Sequence, residues 1–185
     1  GNFRKFFSPS QYNVLKSNLN GYLDSEKSNG ALKSASVYVR EFDQGKWFSI
    51  NPSETFSPGS MMKIATLITY LKDSEHNPDL LNQRIQFKAT YSEMPVQSIV
   101  SGHLTSGRFY TVKELMEAMI IDSDNDDTML LSQRMNANTY FDLCRSLNLS
   151  VPTKEQVDYP ITSSECSRFL RVIFNSSYLE SQNSE

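Results

Sequence analysis

Between Ser57 and Leu71 the chain carries a segment that is apolar on every side, and that segment limits the fold more than anything else in the sequence. Pro58-Gly59 breaks the chain ahead of it. Met61, Met62, Ile64, Ala65, Leu67, Ile68 and Leu71 then follow with little polar relief. A helix apolar all round is a buried helix. It needs cover from a sheet layer as well as from other helices, so a simple surface-helix arrangement is excluded.

The rest of the chain supplies both kinds of cover. Residues 8–26 read as an amphipathic helix with Leu15, Leu19, Tyr22 and Leu23 on one stripe. The period then changes. Residues 36–42 and 46–50 read as two strands joined by a turn at Asp43-Gln44-Gly45, which makes a hairpin closed by Asn51-Pro52. Residues 73–110 are polar and broken by Pro and Gly, and read as loops with short extended pieces such as 84–87. Thr111-Val112-Lys113-Glu114 is a capping box opening a helix with Leu115, Met116, Met119 and Ile120 on its core side. Asp122–Asp126 interrupts it, and Thr128–Leu131 resumes a helix. Residues 138–147 look helical. Thr162-Ser163-Ser164-Glu165 is a second capping box, whose helix is expected to bury Phe169, Leu170, Ile173 and Phe174. The expected class is α+β, divided into 1–56 (helix and hairpin) and 57–185 (helical, carrying the apolar segment). A lone hairpin is marginal and calls for more strands beside it.

Composition narrows function. One core fits in 185 residues, and a net charge of −3 with no dominant basic face argues against a nucleic-acid partner. No apolar run is long enough to span a bilayer. Cys144 and Cys166 read as small buried thiols; a disulfide between them is not implied. His76 and His103 stand alone, so neither a metal nor another cofactor is expected.

Ser60-Met61-Met62-Lys63 places a hydroxyl and an amine one turn apart at the start of the buried helix. A serine needs an adjacent base to become a good nucleophile. A lysine among Met and Ile side chains is pushed toward its neutral form, which can take that proton. The helix start offers backbone N–H groups to a developing oxyanion. An ordinary helix start with a snorkelling lysine has the same pattern. Ser123-Asp124-Asn125 lies between two helices and reads equally as an interhelical turn with an N-cap.

Together, in this order, the two motifs resemble the signatures of the class A β-lactamase and penicillin-binding-protein superfamily. Residues 56–63 look like that family's nucleophile-helix entry, and the helix leading into residues 120–127 looks like its second motif. The resemblance implies a class A β-lactamase-like fold with Ser60 as acylated nucleophile and Lys63 as base. It also implies Ser123 as proton shuttle to the leaving nitrogen, and Asn125 as contact to a small-molecule or peptide amide substrate. It further implies an extracytoplasmic setting.

Two departures stand out. No lysine is followed by Thr-Gly or Ser-Gly, the triad that this superfamily carries on a late strand. The expectation is that C-terminal strands are missing from this chain or supplied by a second chain. The stretch from Leu149 to Thr162 is short for the family's Ω-shaped loop, and leaves Glu155 as the candidate deacylation base beside Asp158. Slow turnover of an acyl-enzyme is therefore expected. The alternative is a non-catalytic binding module of the cell envelope; a plain helical structural protein is a third.

Overall fold

The computed structural model describes residues 8–88, 104–150, 159–175 and 178–180. It is an α+β structure of helices and small antiparallel sheets, as expected. Two compact units divide the chain: Gly1–Ser57 with Asp158–Arg168, and Pro58–Val157 with Phe169–Glu185.

The first unit opens with helix α1 (Pro9–Ser28). Ser8 caps it, accepting from the Gln11 N–H while the Gln11 side chain accepts from the Ser8 N–H, and Pro9 starts the helix without an N–H to lose. Strands β1 (Val37–Arg40) and β2 (Trp47–Ile50) form the expected hairpin, with Val37 opposite Ile50 and Arg40 opposite Trp47. Gly45 turns it at φ +69°, a left-handed conformation open to glycine. Leu23, Phe48 and Ile50 form the core of this unit, with Tyr12, Leu15 and Leu19 packed against them. Tyr22, placed on the stripe by its spacing, is instead 60% exposed. A two-stranded sheet is narrow, and the line Tyr12-Leu15-Leu19-Leu23 already covers it.

Two short strands escaped the sequence reading. β3 (Thr55–Phe56) pairs antiparallel with β6 (Ile161–Thr162), Phe56 facing Ile161. In the second unit, β4 (Arg84–Gln86) pairs with β5 (Phe109–Thr111).

The apolar segment forms a 3-10 turn (Gly59–Met62) followed by helix α2 (Lys63–His76). The helix itself is buried on more than one side, because α2 serves two cores, but Met61 in the turn ahead of it was expected inside and is instead 58% exposed. Ala65 and Ile68 pack with Leu143, Cys144, Leu149, Phe169 and Val172. Tyr70 packs with Phe87, Val112, Leu115, Met116, Met119, Leu130 and Leu131. The Tyr70 hydroxyl donates to the Leu131 carbonyl at 2.8 Å. These partners come from α3 (Val112–Ile121), α4 (Asn125–Ser132), α5 (Ala137–Ser146) and α6 (Ser163–Asn175), apart from Phe87, which follows β4, and Leu149, which follows α5.

Both capping boxes form. Glu114 N–H donates to Thr111 Oγ1 at 3.1 Å while the Glu114 carboxylate accepts from the Thr111 N–H at 2.7 Å. Thr162 and Glu165 repeat the exchange at 3.1 and 2.8 Å. Three expected core residues are corrected. Ile120 is 44% exposed, Leu170 51% and Phe174 56%. Ile120 lies one residue past Met119, about 100° further round at the helix end. On α6 the inward line is Phe169 and Val172, with Ile173 half-buried beside them. Leu170 and Phe174 each sit one position past it, about 100° further round.

Candidate active site

The candidate residues Ser60, Lys63, Ser123 and Asn125 all lie in the second unit. Gly59, at φ +51°, turns the chain ahead of Ser60. Ser60 then falls in the 3-10 turn rather than at the first residue of the α-helix, and the Lys63 N–H closes that turn onto the Ser60 carbonyl. In a 3-10 turn, residues i and i+3 eclipse, so Ser60 and Lys63 still share a face. The Ser60 side chain is exposed. Lys63 is buried, only 6% accessible.

The Lys63 amine reaches across to the turn between α3 and α4. Nζ donates to Ser123 Oγ at 3.0 Å, to Asn125 Oδ1 at 3.1 Å and to the Ser123 carbonyl. Three acceptors match the three N–H bonds of an ammonium. Two of them, the carbonyl and the amide oxygen, can only accept. Ser123 Oγ can also donate, so a neutral amine keeps the same geometry if that one bond reverses. Ser60 Oγ makes no hydrogen bond to the amine. The structure thus brings together Lys63, Ser123 and Asn125, with Ser60 one turn away; Glu155 and Asp158 lie outside the described residues.

The turn is built under strain. Ser123 adopts φ +55°, a left-handed conformation costing an L-residue about 1–2 kcal/mol. Asp124 holds it there as N-cap of α4, its side chain accepting from the Asp126 N–H at 2.7 Å and the Asp127 N–H at 3.2 Å. The left-handed step aims both the Ser123 carbonyl and its hydroxyl at one amine.

Electrostatics add Asp127, which sequence reasoning passed over, and give Asp124 a part beyond its cap. Burial pushes the Lys63 amine below its usual range, against the opposing pull of Asp124 and Asp127. Asp127 is fully buried, and neither carboxylate oxygen has a hydrogen-bond partner. Burial first, then the charges of Asp124, Asp126 and Asp122, push its carboxyl up to about 7, while Lys63 pulls it down. The signal in the sequence was the density of carboxylates at 122–127, which reads as a solvated turn. Among the described residues, no group of three or more His, Cys, Asp and Glu side chains is placed to hold a metal ion.

The family described as the beta-lactamase enzyme family matches residues 15–185. The chain belongs to it. No curated protein matches the chain. Among solved structures, a beta-lactamase from Francisella tularensis superposes with TM-score 0.69 at 16% identity, over 87% of this chain and 65% of its own. A beta-lactamase from Sphaerobacter thermophilus DSM 20745 gives 0.66 at 22% identity, over 80% and 58%. A variant of PBP-A solved as an acyl-enzyme complex with penicillin G gives 0.67 at 16% identity, over 91% and 66%. At these identities the likeness is one of fold: this beta-lactamase-family chain has the class A architecture over the 80–91% of it that these structures cover. It spans 58% of the Sphaerobacter protein.

Proposed function

We propose that the chain carries the nucleophile and base of a serine hydrolase or acyltransferase that forms an acyl-enzyme with a peptide or β-lactam amide. The observation behind this reading is the Lys63 amine hydrogen-bonded to both Ser123 Oγ and Asn125 Oδ1, one turn from Ser60. Ser60 Oγ attacks the amide carbonyl carbon as its proton passes to Lys63 Nζ. The C–N bond then breaks, and the nitrogen leaves with a proton relayed from Lys63 through Ser123 Oγ. Asn125 contacts the substrate amide. Water later cleaves the Ser60 ester, releasing the acid and restoring the hydroxyl. Glu155 is the candidate to activate that water, and slow deacylation goes with the short stretch around it. An extracytoplasmic location fits this chemistry; among the described residues no helix is long and apolar enough to cross a membrane.

A binding module without turnover is the second reading, and the lack of a hydrogen bond from Ser60 Oγ to the amine favours it. Fluorescent penicillin applied to the whole protein carrying this sequence separates the two. The expected result is one label per chain, on the peptide containing Ser60, lost in Ser60→Ala. Absence of any covalent label overturns the enzyme reading.

A further inference from the structure

Lys63 is a buried amine, and its three hydrogen bonds go to neutral oxygens, which leave the charge of its protonated form unbalanced. Two carboxyls of the α4 start act on it electrostatically, Asp124 and Asp127. Asp124 is committed to capping α4 through two backbone N–H groups. Asp127 is committed to nothing: it is wholly inaccessible and both its oxygens are without a hydrogen-bond donor. An ionised carboxylate in that state is costly to hold, so the group is retained against a penalty of desolvation. Its place in the chain is also telling, two residues after Asn125 and in the same first turn of α4.

We propose that Asp127 is a positioning residue that sets the protonation state of Lys63, its carboxyl being the buried partner with which the amine shares charge. The inference rests on Lys63 being the base. When Asp127 is ionised, it holds Lys63 as an ammonium, unable to accept the Ser60 proton. When Asp127 is protonated, burial governs the amine and frees its lone pair. The two titrate as a coupled pair rather than as separate groups. The other charges that Asp127 feels come from Asp122 at the end of α3 and from Asp124 and Asp126 at the start of α4. All three are acidic, so they oppose its ionisation, and Lys63 alone among its partners favours it.

The test uses carboxyl-carbon NMR and pH-dependent penicillin labelling of the whole protein. The Asp127 carboxyl is expected to titrate well above the ordinary aspartate range, and higher still in Lys63→Met, which removes its cation. Titration at the value of an exposed aspartate, or indifference to Lys63→Met, overturns the proposal without reference to activity. In Asp127→Asn the acid limb of the labelling profile is expected to move to lower pH by about one unit or more, about tenfold faster labelling at a pH on that limb. A uniform loss of rate with an unmoved profile marks a merely structural side chain and also overturns it. If wild type never labels while the mutual titration is present, the hydrolase reading falls and the positioning role with it, but the charge sharing stands.

Discussion

Lys63 Nζ and Ser123 Oγ lie 3.0 Å apart although 60 residues separate them. One side chain therefore links the start of α2 to the α3–α4 turn.

Replacing Lys63 by Met removes the proposed proton acceptor while keeping an apolar stem. Labelling of Ser60 by an activated amide or penicillin is expected to slow by about 10²–10⁴-fold, the usual worth of general-base assistance. Stopped-flow or gel labelling against time reads this directly. Wild-type rates in the mutant exclude the base assignment.

The buried carboxyl of Asp127 gives stability a pH dependence with a definite sign. Its folded-state value of about 7 lies above the ordinary aspartate value of about 3.9 in an unfolded chain. Below about pH 4 both states hold the proton and the group exacts no penalty. As pH rises from about 4 to about 7, the unfolded chain ionises freely and the folded one does not, so stability falls across that window. Asp127→Asn is therefore expected to gain on wild type between pH 4 and pH 8 in urea midpoints. A constant difference across that range refutes the sign.

On α3, two adjacent apolar residues should behave differently. Met119 is fully buried and Ile120 is 44% exposed. Met119→Ala is expected to cost about 2–5 kcal/mol, and Ile120→Ala to stay within about 0.5 kcal/mol. Denaturant unfolding of the pair checks which residue faces the core.

The box at the start of α3 is a local contribution. Thr111→Ala deletes the acceptor for the Glu114 N–H and is expected to cost about 0.5–2 kcal/mol. Thr111→Ser should restore most of it, since the hydroxyl rather than the methyl does the capping.

What the sequence disclosed is what local pattern encodes. The two capping boxes, the hairpin and the burial of α2 on more than one side each follow from residues close together in the chain. The paired motifs predict that the Lys63 amine reaches both Ser60 Oγ and the Ser123 turn, and only the second contact forms. The rest depends on tertiary context. Two-residue strands such as β3 and β6 are too short for alternation to show. The positive φ of Ser123 belongs to a residue type that gives no warning of it. Asp127 lies in a run of acids that normally faces water, and only packing against its neighbours makes it an interior group. Ile120, Leu170 and Phe174 went the other way, apolar by type yet turned outward by a fraction of a helical turn.

The pairing of β3 with β6 has a consequence for how the protein is made. The first unit takes its last strand from residues 161–162, after the chain has passed through the stretch Pro58–Val157 of the second. Domains emerge from the ribosome in order and fold as units, yet here the amino-terminal unit must wait for a piece delivered late. Until Ile161 arrives, Phe56 has an unclaimed backbone edge beside it, the kind of edge that recruits strands from other molecules. Translation speed through the intervening residues thus sets how long the nascent protein stays sticky.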